Sequence, residues 1–148
     1  MKTIENKLAS VCDTQEYARS LAKKYGKKPL LILLSGNLGA GKTTFAQAFL
    51  RQLLNNNISI PSPTYSYMNS YMGNFSIYHF DLYRIEEPNE IYDLGLADAL
   101  MDPHALRLVE WPQRMPSLFD KADIIIKLHS SNGFVSAKTI FHAHHSIA

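Results

Sequence analysis

Apolar positions change their spacing along the first third of the chain, and each change marks a new predicted element. Through residues 13–25 they recur every three or four positions, which predicts an amphipathic helix over that range, with Asp13 or Thr14 as the residue that caps its start. Residues 30–34 form an unbroken aliphatic run closely followed by a glycine, a pattern typical of a strand buried on both faces of a parallel sheet. Helical spacing returns over residues 42–54 and stops at three consecutive asparagines.

The middle of the chain is predicted to switch to extended structure. Two prolines within residues 61–65 exclude a helix interior or a central strand there. Two β-like runs, residues 65–71 and 75–80, flank a short Met-Gly-Asn turn and predict a hairpin. Residues 86–100 then predict one continuous helix with Pro88 in its first turn.

The last third of the chain is predicted to supply three further strands. They lie at residues 106–109, 124–128 and 134–141, and the last is expected at an edge of the sheet. Helices and strands therefore mix along the chain, which predicts the α/β class. The length of 148 residues suits one domain over residues 1–148, with about 130–148 forming a C-terminal edge strand and tail.

One glycine-rich stretch carries the strongest chemical signal. Residues 36–43 read Gly-Asn-Leu-Gly-Ala-Gly-Lys-Thr and lie between the predicted buried strand and the following helix. Phosphate oxygens need many donors at close range, and glycines let backbone N–H groups approach and point inward. This pattern predicts that Lys42 reaches the β- and γ-phosphates of ATP and that the Thr43 hydroxyl binds Mg²⁺. The residues predicted to bind nucleotide in this stretch are Asn37, Leu38, Gly39, Ala40, Gly41, Lys42, Thr43 and Thr44.

This phosphate-binding loop narrows the predicted fold to a P-loop NTPase-like sheet, partly parallel with an antiparallel hairpin portion, flanked by helices. The composition, 46% hydrophobic and 19% charged, is typical of a folded chain. A net charge of +2 without a basic run gives no argument for direct nucleic-acid binding. The single cysteine, Cys12, excludes an internal disulfide and fits a reducing compartment. Since no secretory or membrane-spanning stretch is visible, we expect a soluble cytoplasmic protein.

A magnesium nucleotide site also needs an acidic residue at the end of a neighbouring strand. Asp81 and Glu110 both follow predicted strands, and spacing alone does not choose between them. Thr64 lies in a Ser-Pro-Thr-Tyr stretch after the loop helix. In GTPases a threonine in such a stretch senses the γ-phosphate through magnesium, whereas the alternative is a turn stiffened by proline.

Four motifs occur in one order along the chain. They are the loop at 36–44, Ser-Pro-Thr-Tyr at 62–65, His-Phe-Asp-Leu-Tyr-Arg at 79–84 and Val-Glu-Trp-Pro at 109–112. Together they resemble the TsaE family, formerly YjeE, small bacterial ATPases needed for the threonylcarbamoyladenosine modification of tRNA. The resemblance runs from about the first predicted helix to Ile126.

The resemblance implies roles that spacing left open. It implies that Glu110 is the magnesium partner of Thr43. Asp81 becomes a candidate for positioning the attacking water or for the outer shell of the metal. Thr64 becomes a switch-like catalytic residue near the γ-phosphate, and Lys42 joins the catalytic set.

Other positions of the motifs are assigned less directly. The resemblance implies that Trp111 lies beside the nucleotide, and the alternative is a core aromatic that supports the strand end. The region of Thr14 resembles the stretch near the adenine. Asn37 stands where the family usually has Asp, and we expect no loss of affinity from it. His79 is predicted to be an ordinary strand residue, and the tail at 142–145 matches no motif.

The resemblance also implies partners. It predicts an ATPase that acts with a complex of TsaD and TsaB and reaches tRNA indirectly through that complex. One alternative is a P-loop small-molecule kinase, although such kinases usually carry an arginine-rich lid and the arginines here are scattered. Another alternative is a non-hydrolysing, nucleotide-dependent assembly switch, which would not need Asp81.

Overall fold

Strands from both ends of the chain join in one sheet. The computed structural model describes residues 1–55 and 57–142, and within them seven strands pair in the order β1-β7-β6-β2-β5-β4-β3. The strands are β1 (Lys2–Leu8), β2 (Leu31–Gly36), β3 (Met68–Met72), β4 (Ser76–Asp81), β5 (Leu106–Glu110), β6 (Ile124–Ser131) and β7 (Phe134–Phe141). The α-helices are α1 (Val11–Tyr25), α2 (Lys42–Leu53), α3 (Asn89–Asp93) and α4 (Ala97–Leu100).

The centre of the sheet is parallel. β2 pairs in parallel with β5 on one side and β6 on the other, and β4 continues the parallel set beyond β5. Ile32 and Leu34 of β2 enter the core formed with α1 and α2, whereas Leu31 and Leu33 enter a second core on the opposite face. The prediction of a strand buried on both faces is therefore confirmed, and the observed sheet confirms the predicted fold class.

The strands at both flanks of the sheet pair antiparallel, and one of them differs from its predicted position. The hairpin of β3 and β4 forms as expected, with Asn69 opposite His79. β7, however, is not an edge strand, because β1 pairs along its outer side from Lys2 opposite Phe141 onwards. β1 was not predicted, since its side chains are mostly exposed and it lacks an apolar alternation. The predicted tail beyond residue 142 lies outside the described residues.

The prediction of one helix over residues 86–100 is wrong. The structure has two short helices instead, α3 and α4, separated by a turn around Gly95. Gly95 has φ +74°, and the N–H of Leu96 donates to the carbonyl of Ile91 at 2.9 Å, a pairing that closes a helix end. The apolar spacing survives the break, because Ile91 and Leu100 still enter the second core.

The first helix begins two residues earlier than predicted. Its cap is Ser10, whose side chain accepts a hydrogen bond from the N–H of Asp13 at 3.1 Å. Asp13 in turn accepts one from the N–H of Ala9 at 2.9 Å, so neither Asp13 nor Thr14 is the cap. In residues 1–55 and 57–142, no helix is long and apolar enough to cross a membrane.

Candidate nucleotide site

The candidate site lies where parallel strands end side by side. Register pairs Leu34 of β2 with Glu110 of β5, and Glu110 with Asp81 of β4. The loop at 37–41 leaves β2 at this same edge and leads into α2. Ligands of open α/β sheets bind outside the carboxyl ends of parallel strands, so this edge brings the predicted loop and both predicted carboxylates together.

The loop has the backbone that phosphate binding requires. Gly41, at the start of α2, has φ +98°, a conformation that side chains rarely adopt, and α2 has no side-chain cap. A Cβ on Gly36 would lie 2.4 Å from the carbonyl oxygen of Leu128, so β6 excludes any larger residue there. The first N–H groups of α2 and the positive end of its dipole therefore face the loop.

Lys42 folds back over the loop. Its Nζ donates to the carbonyl oxygens of Gly36 at 2.6 Å and Asn37 at 3.0 Å. It also lies 4.2 Å from the centre of the Trp111 ring. Burial lowers the pKa of Lys42 below its ordinary value, and attraction to Glu110 and then to the neighbouring carboxylate only partly opposes that shift. Among the described residues, the cation has carbonyl acceptors but no direct ion pair, an arrangement suited to receive phosphate oxygens.

Glu110 is held on both carboxylate oxygens. The side chain is only 1% exposed, at the end of β5. Its Oε1 accepts a hydrogen bond from Thr43 Oγ1 at 3.3 Å, and its Oε2 lies 2.6 Å from His79 Nε2. A hydroxyl and a carboxylate side by side are hard oxygen donors of the kind that Mg²⁺ prefers. The two residues predicted to hold magnesium are thus adjacent.

Asp81 has a different set of partners. Its Oδ2 accepts a hydrogen bond from Thr64 Oγ1 at 2.9 Å, and its Oδ1 accepts one from the N–H of Tyr83 at 2.9 Å. Thr64 Oγ1 also lies 2.8 Å from the hydroxyl of Ser62, which is exposed. The predicted switch residue and the predicted catalytic carboxylate are therefore in direct contact.

Trp111 lies between the loop lysine and a neighbouring turn. It is partly buried, with φ +56°, and it starts the short 3₁₀ turn Pro112–Arg114. Its ring packs on Tyr83 with centroids 4.8 Å apart. The aromatic contacts both the core side of the strand end and the cation of Lys42, so the two interpretations of this residue are compatible.

A cleft opens beside the loop on the α1 side. It measures about 280 Å³, and its lining comprises Leu8, Ala9, Ser10, Val11, Thr14, Gly39, Ala40, Gly41, Thr44, Ser130, Gly133, Phe134 and Val135. Thr14 is buried in its wall, with a methyl group facing Gly41. The opposite wall comes from the turn between β6 and β7, where the N–H of Ser130 donates to Asn37 Oδ1 at 3.2 Å. No sequence motif pointed to that wall.

The donors present fit a nucleotide with magnesium. The start of α2, which has no side-chain cap, and the cation of Lys42 lie at the loop, while Thr43 and Glu110 supply oxygens. Magnesium is usually held by one or two protein oxygens together with substrate phosphates. In the part of the chain that the structure describes, no cluster of three or more His, Cys, Asp or Glu forms a separate metal site.

Sequence reasoning missed His79. The alternation of β4 puts positions 77, 79 and 81 on one face, so a neighbour of Asp81 two residues earlier points the same way. That signal was present in the sequence, but the partner is Glu110, 31 residues further on, and only the pairing of β4 with β5 brings them together.

Comparisons with known proteins identify the family of this chain. Residues 8–139 match the family model described as threonylcarbamoyl adenosine biosynthesis protein TsaE. A Rickettsia conorii protein named tRNA threonylcarbamoyladenosine biosynthesis protein TsaE is 39% identical over 119 residues, 80% of this chain and 66% of the relative. The Haemophilus influenzae protein of that name is 33% identical over 115 residues, 77% of this chain and 72% of the relative. This chain therefore spans about two thirds to three quarters of those proteins.

A solved structure shares the fold. The crystal structure of Bacillus subtilis YdiB superposes with a TM-score of 0.71 and 23% identity, covering 96% of this chain and 88% of that one. The family and the P-loop-like fold together imply nucleotide binding. By its motifs, its fold and a match over residues 8–139, this chain belongs to the TsaE family.

Proposed function

We propose that this protein binds ATP with magnesium and hydrolyses it slowly, as an accessory ATPase for threonylcarbamoyladenosine modification of tRNA in the cytoplasm. The convergence of Lys42, Thr43, Asp81 and Glu110 at one sheet edge carries the proposal. These residues come from three separate motifs, and each has a part in the chemistry of phosphoryl transfer.

The binding half of the proposal rests on three side chains. Lys42 exchanges its carbonyl acceptors, Gly36 and Asn37, for the β- and γ-phosphate oxygens. Thr43 and Glu110 hold the metal through their adjacent oxygens. When bound, magnesium supplies positive charge that stabilises the phosphates during transfer.

The hydrolytic half rests on the other carboxylate. Asp81 orients the attacking water. Thr64 responds to the γ-phosphate, and its hydrogen bond to Asp81 couples that response to the carboxylate. The segment that carries Thr64, residues 62–65, is exposed at Ser62 and Tyr65 and so connects this contact to the protein surface. Binding of ATP is then coupled to the shape of a partly exposed segment.

We propose that hydrolysis by the isolated protein is slow because no arginine of the described residues stabilises the transferring phosphate. Arg84 is the arginine nearest Asp81 in sequence, but it is engaged elsewhere. Its Nη1 donates to the carbonyl of Tyr65 at 3.2 Å, and its guanidinium lies 5.4 Å and 5.2 Å from the rings of Tyr65 and Tyr67. We therefore propose that a complex of TsaD and TsaB accelerates hydrolysis and delivers its effect to tRNA, in keeping with the name carried by the relatives.

Steady-state phosphate release tests the proposal. We expect slow release by the protein alone, marked acceleration as a TsaD–TsaB complex is titrated in, and background rates for Lys42→Ala. Equal rates across the titration, with binding confirmed separately, would reject partner activation. Transfer of phosphate to added nucleosides in place of release would reject the ATPase in favour of a kinase.

A further inference from the structure

His79 occupies a position where an ordinary strand residue would be apolar. It lies in β4 between Ile77 and Asp81, on the face that packs against α2, and it is 0% exposed. Its Nε2 lies 2.6 Å from Glu110 Oε2, and its Nδ1 is buried with no hydrogen-bond partner among the described residues. Within residues 1–55 and 57–142, the only polar side-chain contact of this buried histidine is with a residue of the proposed nucleotide site.

The contact fixes which nitrogen carries the proton. An ionised carboxylate oxygen only accepts hydrogen bonds, so Nε2 must donate at a separation of 2.6 Å. A proton on Nδ1 would have no acceptor, because that atom is buried without a partner. The short contact is therefore satisfied by a ring that carries a proton on Nε2. His79 then acts as a fixed donor to Glu110.

The donor restricts the rotation of the carboxylate. Glu110 has Oε2 bound to His79 and Oε1 facing Thr43, so one oxygen is anchored and the other is presented. Without the hydrogen bond from His79, the terminal torsion angle of the glutamate can take a broad range of values, and either oxygen could turn away from Thr43. Groups that hold a metal-binding carboxylate in this manner typically change metal affinity by roughly ten- to a hundredfold when removed.

We propose that His79 is a positioning residue, which holds Glu110 through Oε2 so that Oε1 and Thr43 Oγ1 together receive magnesium. The inference rests on the proposed function, since it concerns the metal of that site. It predicts that His79 affects the magnesium requirement of nucleotide binding far more than nucleotide binding itself.

Trp111 provides the measurement. It is the single tryptophan of the chain and its ring lies 4.2 Å from Lys42 Nζ, so its fluorescence is expected to report the state of the loop. ATP is titrated in excess chelator, and Mg²⁺ is then titrated at a fixed ATP concentration. For His79→Leu we expect an unchanged ATP Kd without metal and a half-saturating Mg²⁺ concentration raised roughly ten- to a hundredfold.

Two variants separate positioning from stability. In His79→Gln the side-chain amide can still donate to Glu110, so we expect the magnesium requirement to return to within a few-fold of the natural protein. Ile77→Ala removes a buried side chain from the same strand and the same face without touching Glu110. It should lower Tm while leaving the magnesium requirement unchanged.

The outcomes distinguish this inference from the proposed function. If the natural protein shows no ATP binding, the proposed function fails. If it binds ATP with magnesium and folded His79→Leu has the same magnesium requirement, the positioning role fails alone. Should His79→Leu not fold, nitrogen-15 NMR of the natural protein decides: a proton on Nε2 supports the inference, and a proton on Nδ1 alone overturns it.

Discussion

Glu110 and Asp81 end neighbouring strands in register, yet they are held by two different kinds of partner. Glu110 is bound by His79 from β4 and Thr43 from α2, both within regular elements. Asp81 is bound by Thr64, which lies in a partly exposed turn, and by the backbone of Tyr83. One carboxylate is fixed by the core, and the other is connected to a surface segment.

The difference matches what each task demands. A metal ligand must keep its geometry before and after nucleotide arrives, so partners on a strand and a helix suit it. A group that responds to the γ-phosphate needs a partner that moves, and loops supply such motion at low free-energy cost. Two residues after the segment that carries Thr64, Tyr67 has φ +68°, a strained conformation for that residue. Binding and hydrolysis should therefore separate by mutation.

The largest effect is expected from replacing Lys42, the residue whose charge is attracted to both carboxylates. Lys42 is attracted to Glu110 and to Asp81 and is the cation of the loop. Lys42→Ala should weaken ATP binding by roughly 10- to 150-fold, the loss of about 1.5–3 kcal/mol of charge-assisted hydrogen bonding, and should abolish turnover. Calorimetric titration measures it, with the exposed Lys121→Ala as the matched control. Unchanged affinity and rate would remove the basis of the site.

The next largest effects are expected from the amide variants of the two carboxylates. Each variant keeps the shape of the side chain and removes its charge. Glu110→Gln should weaken magnesium-dependent ATP binding by roughly ten- to a hundredfold while leaving metal-free binding intact. Asp81→Asn should bind ATP normally and lose roughly a hundredfold or more in hydrolysis rate. Nucleotide titrations with and without magnesium, followed by phosphate release, test both. Exchanged phenotypes would mean that the two roles are reversed.

The contrast between these regions also explains what the sequence could predict. The loop at 36–43 is contiguous, and phosphate binding by such a loop depends on local backbone shape, so glycine spacing alone was enough to propose Lys42 and Thr43 as site residues. The partners of Glu110 come from 31 and 67 residues away, and only the pairing of β4 with β5 and the position of α2 bring them together. Spacing could identify both carboxylates at strand ends but could not assign their roles.

Predictions of the fold were limited in the same way, since features that depend on distant parts of the chain were missed. The buried strand β2 was predicted because both of its faces are apolar, a property of the strand itself. β1 was missed and β7 was wrongly placed at the edge, since their pairing joins the two ends of the chain and β1 carries few buried side chains. The helix break at Gly95 was missed because the apolar spacing continues through it, so a positive φ overrode the periodicity.

A smaller effect tests the movable partner. Thr64→Ala removes the hydrogen bond to Asp81, and we expect roughly a tenfold loss in hydrolysis rate with little change in ATP Kd. Thr64→Ser keeps the hydroxyl and should retain most of the rate. Ser62→Ala serves as the control. It removes a hydroxyl of the same segment, and that hydroxyl contacts Thr64 but not the carboxylate. A weakened ATP affinity in Thr64→Ala would assign this residue to binding instead.

The smallest effect lies outside both regions, at Asn37 in the loop. The Asn37 side chain is exposed and accepts from the N–H of Ser130 at 3.2 Å, which joins the loop to the end of β6. Asn37→Asp keeps that acceptor and should leave ATP affinity within about twofold and stability unchanged. Asn37→Ala loses it and should reduce the free energy of unfolding by about 0.5–1 kcal/mol in urea titration. A large loss of affinity in Asn37→Asp would mean that this side chain, and not only its backbone, contacts the phosphates, and would extend the binding region beyond Lys42, Thr43 and Glu110.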